Sequence, residues 1–307
     1  MQSAAPIGAY PARCRVPARP LPCSWETSKV AVVALRVEHD PVDPEAIDVW
    51  VDGAVGDGPF RFRLDTGAGT CRIPTTGATR GLPSIGIDKG VAASGIGLGE
   101  DEIEIPVLRL GDLELAHVEA TRAPADADVV PLLGMSALGR FRCHFRFSSG
   151  ELELADSRPT GTDEWLELSM HAAGQPTMPV QFGDIEVVAC WDTGAGLTAV
   201  DTEFVRTHPE LFEPIREAVG IDASGVEMST RIAAMQGCSI GDVQFPPSVC
   251  ALVDLSALNA SLQKRARAEG CDFQPMSFII GMPLISQADW VFDFPVGRWT
   301  LRPLHAG

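Results

Sequence analysis

No stretch of the 307 residues approaches the roughly 18 consecutive apolar residues that a membrane-spanning helix needs. The longest apolar runs, such as VAVVAL at 30 to 35, have the length of strands, which argues against an integral membrane protein and against a membrane partner. Basic residues are scarce too: 24 Lys and Arg stand against 41 Asp and Glu, a formal charge of −17. A surface of that sign repels phosphate backbones, so nucleic acid is excluded and cationic or neutral partners fit better. The eight cysteines are too dilute for a disulfide-scaffolded fold and contain no C-x-x-C. Most read as small buried hydrophobes, while Cys238 and Cys250 flank the turn-like SIGDVQFPPS and are placed to face each other across a hairpin.

Several common chemical motifs are missing as well. Six histidines are scattered without H-E-x-x-H, so no metal site is expected. GIGLG at 95 to 99 lacks the spacing of G-x-G-x-x-G, and no cofactor is expected. GMSALG at 134 to 139 only approximates G-x-S-x-G, with leucine where the second glycine belongs. Helical periodicity is sparse. Its best instances are DTEFVRTHPELFEPIREAVG at 201 to 220 and the polar LSALNASLQKRARAEG at 255 to 270, the latter with Ser256 as its N-cap.

With 45% hydrophobic and 21% charged residues, the chain has the balance of a globular protein large enough for two lobes. Residues 1–28 stand apart: Pro- and Ala-rich, with Arg13, Arg15 and Arg19 against Glu26, they read as an N-terminal extension. They lack the continuous apolar core of a secretory signal, which points to a cytoplasmic location.

The organising feature is a repeat. Asp-Thr-Gly-Ala-Gly occurs at Asp65 and again 127 residues later at Asp192. ASGIG at 93 to 97 answers to ASGVE at 223 to 227, and LRLGDLEL around Gly111 to CSIGDVQF around Gly241. LLGMSALGRFRCHFRFSSGELEL from Leu132 answers to IIGMPLISQADWVFDFPVGRWTL from Ile279. Upstream of each aspartate lies a strand, a Gly/Asp turn and a second strand: DVWV then FRFRL in one half, PVQF then IEVVACW in the other. FRFRL alternates with period two, as a half-buried strand does. The polar ADSRPTGTDE at 155 to 164 reads as the linker, giving a first lobe over 29–156 and a second over 157–307.

One Asp-Thr-Gly-Ala-Gly is a serviceable turn. Two copies in matching lobes related by an approximate two-fold axis would bring two carboxylates together, and such a pair shares a proton and titrates as a unit. It can hold a water, one carboxylate acting as general base and the other as proton donor to a carbonyl, which amounts to acyl hydrolysis without a covalent intermediate.

Two D-T-G-A motifs, each followed by a hydrophobic-hydrophobic-Gly (Leu132-Leu133-Gly134 and Ile279-Ile280-Gly281), resemble the aspartic peptidases, specifically the retropepsin-like branch in a fused, single-chain form. The resemblance covers residues 30 to 304. It implies an all-β, bilobal aspartic-protease fold: two homologous β-barrel-like lobes about a pseudo-two-fold axis, with few short helices. It implies Asp65 and Asp192 as the catalytic pair of an endopeptidase acting on peptide or protein substrates. Thr66 and Thr193 would cross-link the two loops, Gly67 and Gly194 would let backbone approach the carboxylates, and Gly134 and Gly281 would pack against the loops. Ser94, Gly95, Ile96 and Gly97 in one half, with Ser224, Gly225 and Val226 in the other, fall where the family places its substrate-covering flaps. Two flap candidates and a single tyrosine, Tyr10, favour the retropepsin branch over the pepsins. Because the duplication supplies both halves of the site, a monomer is expected.

Ala68 and Ala195 stand where pepsins usually carry a hydroxyl that stabilises the ionised carboxylate. Alanine cannot donate, so activity is expected to peak at mildly acidic pH, about 4.5 to 6. The basic extension would suit a prosegment lying over an acidic cleft. The rival reading is a catalytically silent peptide-binding or regulatory module on the same fold.

Overall fold

The structure, a computed structural model, describes residues 30–304 apart from 89, 91–96, 98, 126, 128, 158–163, 172, 222–226 and 271–272. Strands dominate it, arranged in three sheets. An eight-stranded sheet is built from residues 36–133 and a ten-stranded sheet from residues 169–280, so each half of the sequence folds its own lobe. The third sheet is shared. Its order is Val30–Ala34, Glu151–Ala155, Arg142–Arg146, Ala288–Asp293, Arg298–Pro303 and Leu166–Glu167, three strands from each half, joined where Arg142–Arg146 pairs antiparallel with Ala288–Asp293.

The two lobes repeat one another strand for strand around the aspartates. Ile47–Val55 pairs with Gly58–Leu64, and Pro176–Phe182 with Ile185–Trp191, in registers that put Arg63 opposite Trp50 and Cys190 opposite Thr177. Each second strand then runs parallel to the hydrophobic-hydrophobic-Gly segment: Leu64 beside Leu133, and Trp191 beside Ile280. The strand leaving each aspartate loop, Cys71–Ile73 or Thr198–Asp201, pairs antiparallel with that same segment on its other side. Gly134 and Gly281 are required there by close approach, since a Cβ on either would stand 2.3 Å from a backbone oxygen, of Thr70 and Leu197 respectively.

Period-two alternation explains the core. In Gly58–Leu64, Phe62 and Leu64 are fully buried while Arg61 and Arg63 look the other way. Beneath the shared sheet an aromatic cluster joins the lobes: Phe145 from the first half lies 5.0 Å, centroid to centroid, from Trp191, which lies 4.5 Å from Phe292. Burying these large rings ties the lobes together directly behind the aspartate loops.

Three local expectations fail. The segment 201–220 is helical only over Thr202–Thr207, followed by a 3-10 turn at Pro209–Leu211 and then a strand, Phe212–Ile221. Pro209 and Pro214 cannot propagate a helix, and a ladder with Glu227–Met235, bulged between Pro214 and Arg216, satisfies the backbone instead. The polar insertion does form a helix, Ser256–Glu269, but Ser256 is its first helical residue rather than its cap. The carboxylate of Asp254 accepts the Ser256 N–H at 2.9 Å, and Gly270 closes the other end at φ 68°. Cys238 and Cys250 do not face each other: the hairpin at Gly241 sets Cys238 opposite Phe245, and Cys250 lies between Ala233 and Thr198. Both are free and buried.

Candidate active site

The strands Gly58–Leu64 and Ile185–Trp191 deliver Asp65 and Asp192 to one point between the lobes. Each aspartate's N–H is fixed to the hydrophobic-hydrophobic-Gly segment of its own lobe, Asp65 to Leu133 O at 3.1 Å and Asp192 to Ile280 O at 3.0 Å. Each loop then turns under its own carboxylate. The Ala68 N–H donates to Asp65 Oδ1 at 2.8 Å and the Gly194 N–H to Asp192 Oδ1 at 2.8 Å. The Gly67 N–H crosses the interface to the same Asp192 oxygen at 3.1 Å. A Cβ on Gly67 would lie 2.3 Å from Asp192 Oδ2, and one on Gly194 2.4 Å from Asp65 Cγ. Only glycine fits at either place, so each carboxylate sits directly against the opposite loop. The backbone carbonyls of Ala68 and Ala195 accept from Met135 and Met282, both at 2.9 Å, pinning each loop to the short helix that follows its glycine landmark.

Below the carboxylates the loops are cross-linked. The Thr66 N–H donates to Thr193 Oγ1 and the Thr193 N–H to Thr66 Oγ1, each at 3.1 Å. The hydroxyls in turn donate outward, Thr66 to Trp191 O at 2.8 Å and Thr193 to Leu64 O at 3.0 Å. Both threonines are fully buried, and every bond of the four has its two-fold counterpart.

The electrostatics follow from burial. Burial raises Asp65, opposed by the Arg63 charge, by the Ala68 and Gly67 amides and by a hydrogen bond with Asp192. Asp192 is pushed up to about 7 by burial and then by the Asp65 charge, against the Gly194 amide, Arg63 and the Gly67 amide. The pair therefore holds one proton between two carboxylates in the weakly acidic range. Alanine side chains at 68 and 195 offer nothing against this, and the hydrogen bonding available comes from backbone N–H groups.

Four further residues that the motifs did not single out surround the loops. The Arg63 guanidinium donates across the interface to Gly194 O, and its Nε lies 3.4 Å from Asp48 Oδ1. At the matching places of the other lobe stand Cys190 and Gln175. Gln175 Nε2 donates to Gly67 O at 3.0 Å while its Oε1 is buried without a partner. Burial, then the charges of Asp192 and Asp65, raise the Cys190 thiol well above its usual value, so it stays neutral. Arg63 was visible in FRFRL as the arginine two residues before the aspartate, and so on its side of the strand.

Of the flap candidates, Ser94, Gly95, Ile96, Ser224, Gly225 and Val226 lie outside the described residues, as does the extension 1–28. Gly97 is described and exposed. The strands flanking these segments, Ser84–Ile87 with Asp101–Leu110 and Phe212–Ile221 with Glu227–Met235, pair antiparallel. Among the described residues no three His, Cys, Asp or Glu side chains are grouped to hold a metal ion.

Solved structures share the fold that carries these loops. The aspartic proteinase from Irpex lacteus aligns over 90% of this chain and 98% of its own, with a TM-score of 0.53 and 13% identity. The chain has the aspartic-proteinase fold. Basic 7S globulin from soybean shares that fold across 91% of this chain and 97% of its own, with a TM-score of 0.50 and 9% identity. One neighbour is named for proteolysis and the other as a globulin, so this aspartic-proteinase fold does not by itself assign an activity. In sequence, residues 51–140 match the family described as "gag-polyprotein putative aspartyl protease". No curated protein matches the chain in sequence.

Proposed function

We propose that the chain is an aspartic endopeptidase that hydrolyses peptide bonds with a water activated by Asp65 and Asp192. The observation that carries this reading is the reciprocal cradle: each carboxylate lies against the other lobe's glycine, with one proton between the two in the weakly acidic range. The family match over the first lobe supports the same class of chemistry. In the singly protonated pair, the ionised carboxylate takes a proton from the water while the protonated one donates to the scissile carbonyl oxygen. The water oxygen bonds the carbonyl carbon, and collapse of the resulting gem-diol protonates the amide nitrogen and breaks the C–N bond. An extended peptide would bind in the interlobe cleft through strand-like backbone bonds and alternating side-chain pockets. The duplication supplies both halves of the site, so a monomer suffices.

A peptide-library digest across pH 3 to 8, run beside Asp65→Asn and Asp192→Asn and with a statine-type inhibitor, tests this. Cleavage in the window of about pH 4.5 to 6, lost in both variants and blocked by the inhibitor, is the expected outcome. Peptide binding without cleavage at any pH sinks the proposal in favour of a silent binding module, and a rate maximum below about pH 3 sinks the assigned optimum.

A further inference from the structure

We infer that Arg63, whose charge faces Asp48, is a positioning residue that sets the pH window of the carboxylate pair from one lobe only. This rests on the pair's geometry and deepens the proposed function. Arg63 occupies the strand position two before Asp65, and its guanidinium reaches across the interface to Gly194 O. That carbonyl belongs to the residue whose own N–H holds Asp192, so one side chain touches the loop of one aspartate from the strand of the other. Asp48 pairs with Arg63 Nε from the adjacent strand Ile47–Val55, at 3.4 Å. Side-chain exposures of 29% and 32% leave the ion pair partly shielded, where a charge acts over several ångströms.

Of the strands leaving the loops, Cys71–Ile73 carries Arg72, whose guanidinium donates to Glu100, and Thr198–Asp201 carries Asp201, which accepts the Glu203 N–H; the elements of the second lobe around the loops bring no cation. Strand Ile185–Trp191 contributes the neutral thiol of Cys190 at the position matching Arg63. Gln175, at the position matching Asp48, contributes a neutral amide. The segments Leu132–Leu133 and Phe278–Ile280 are apolar, and the helices Met135–Leu138 and Met282–Ile285 carry no charged side chain. Arg63 is a cation that opposes the burial-driven rise at both Asp65 and Asp192. Its sign follows directly. Removing the cation raises both titrations of the pair and moves the singly protonated window to higher pH. Removing Asp48, which partly neutralises Arg63, moves it to lower pH.

The test needs no substrate. The full chain carrying aspartate labelled with carbon-13 at the carboxyl is titrated by NMR, with Asp65→Asn and Asp192→Asn giving the assignments. Arg63→Met is expected to raise the pair's titration by about one pH unit and Asp48→Asn to lower it by a smaller amount, while Arg63→Lys, which keeps the charge, stays within about 0.3 units of the parent. A shift below about 0.3 units in Arg63→Met, or shifts of the same sign in Arg63→Met and Asp48→Asn, overturns the inference. Should Arg63→Met fail to fold, Asp48→Asn and Arg63→Lys still decide it: a downward shift with the parent-like lysine supports it, and an unchanged Asp48→Asn overturns it. Titrations that move as stated in a protein that cleaves no peptide leave this inference standing and sink the endopeptidase.

Discussion

The two lobes carry the same loops in different electrostatic settings. At the threonines the symmetry is close: Thr66 answers Thr193 with amide-to-hydroxyl bonds of equal length, and Gly67 answers Gly194 in its close approach to the opposite carboxylate. One strand away it breaks. The first lobe has the ion pair Arg63 and Asp48 where the second has Cys190 and Gln175. It also buries Arg72 against Glu100, whose other oxygen accepts from Thr121 Oγ1 at 2.8 Å. By strand register these three correspond to Ala199, Thr230 and Ala251 in the second lobe. What the proposed chemistry needs twice is kept twice, while charge that acts through space needs only one source.

Substitutions can break that comparison at each level. The largest effect belongs to the symmetric pair: Asp65→Asn and Asp192→Asn are each expected to lower peptide cleavage by at least about 10³-fold, equally, in a steady-state assay at pH 5. A variant retaining a tenth of the activity on one side only would show that the lobes do not share the chemistry. Next comes the asymmetric network. Arg72→Met strands a carboxylate that is 2% exposed and should cost about 3 to 5 kcal/mol in urea denaturation, whereas Thr230→Ala, which loses one hydrogen bond to Leu252 O, should cost about 1 kcal/mol. Equal losses would erase the distinction drawn between the lobes.

Thr66→Val and Thr193→Val should each cost about 1 to 3 kcal/mol, because each leaves a buried amide and a buried carbonyl in the opposite loop without partners. Their equality is the informative part, read from the two urea midpoints. The last effect is read as a pH dependence rather than at one pH. With Asp192 near 7 in the folded chain and near 4 when unfolded, the unfolded state ionises first as pH rises, so the parent loses stability between about pH 4 and 7. Asp192→Asn removes that titration and leaves only Asp65, which burial raises on its own. Its melting temperature should match the parent's near pH 3 and exceed it by a few degrees at pH 7, as scanning calorimetry would register.

Much of this was legible in the sequence because the repeat carries its own phase. Asp65 and Asp192, the glycine landmarks and the alternating strands before each aspartate fix the lobes and bring the carboxylates together. What escaped was decided by tertiary pairing. Phe212–Ile221 has the apolar spacing of a helix yet is held as a strand by a neighbour across a turn. Cys238 and Cys250 straddle a turn, but Pro246 and Pro247 divert the chain to a different neighbour. Arg63 could be placed on the aspartate's side of its strand, but its partners could not: Asp48 lies fifteen residues away, and the contact with Gly194 spans the lobe boundary.

The shared sheet has a consequence for assembly. Residues 30–155 contribute three adjacent strands ending in Arg142–Arg146, and residues 166–303 contribute three more beginning at Ala288–Asp293. A chain cut within 158–163 would therefore yield two fragments, each exposing an unpaired inner edge built to accept the other. Coexpressed, they should reassemble into a two-piece particle. Expressed alone, either half would be left to pair that edge with a second copy of itself, turning a covalent duplication back into a dimer.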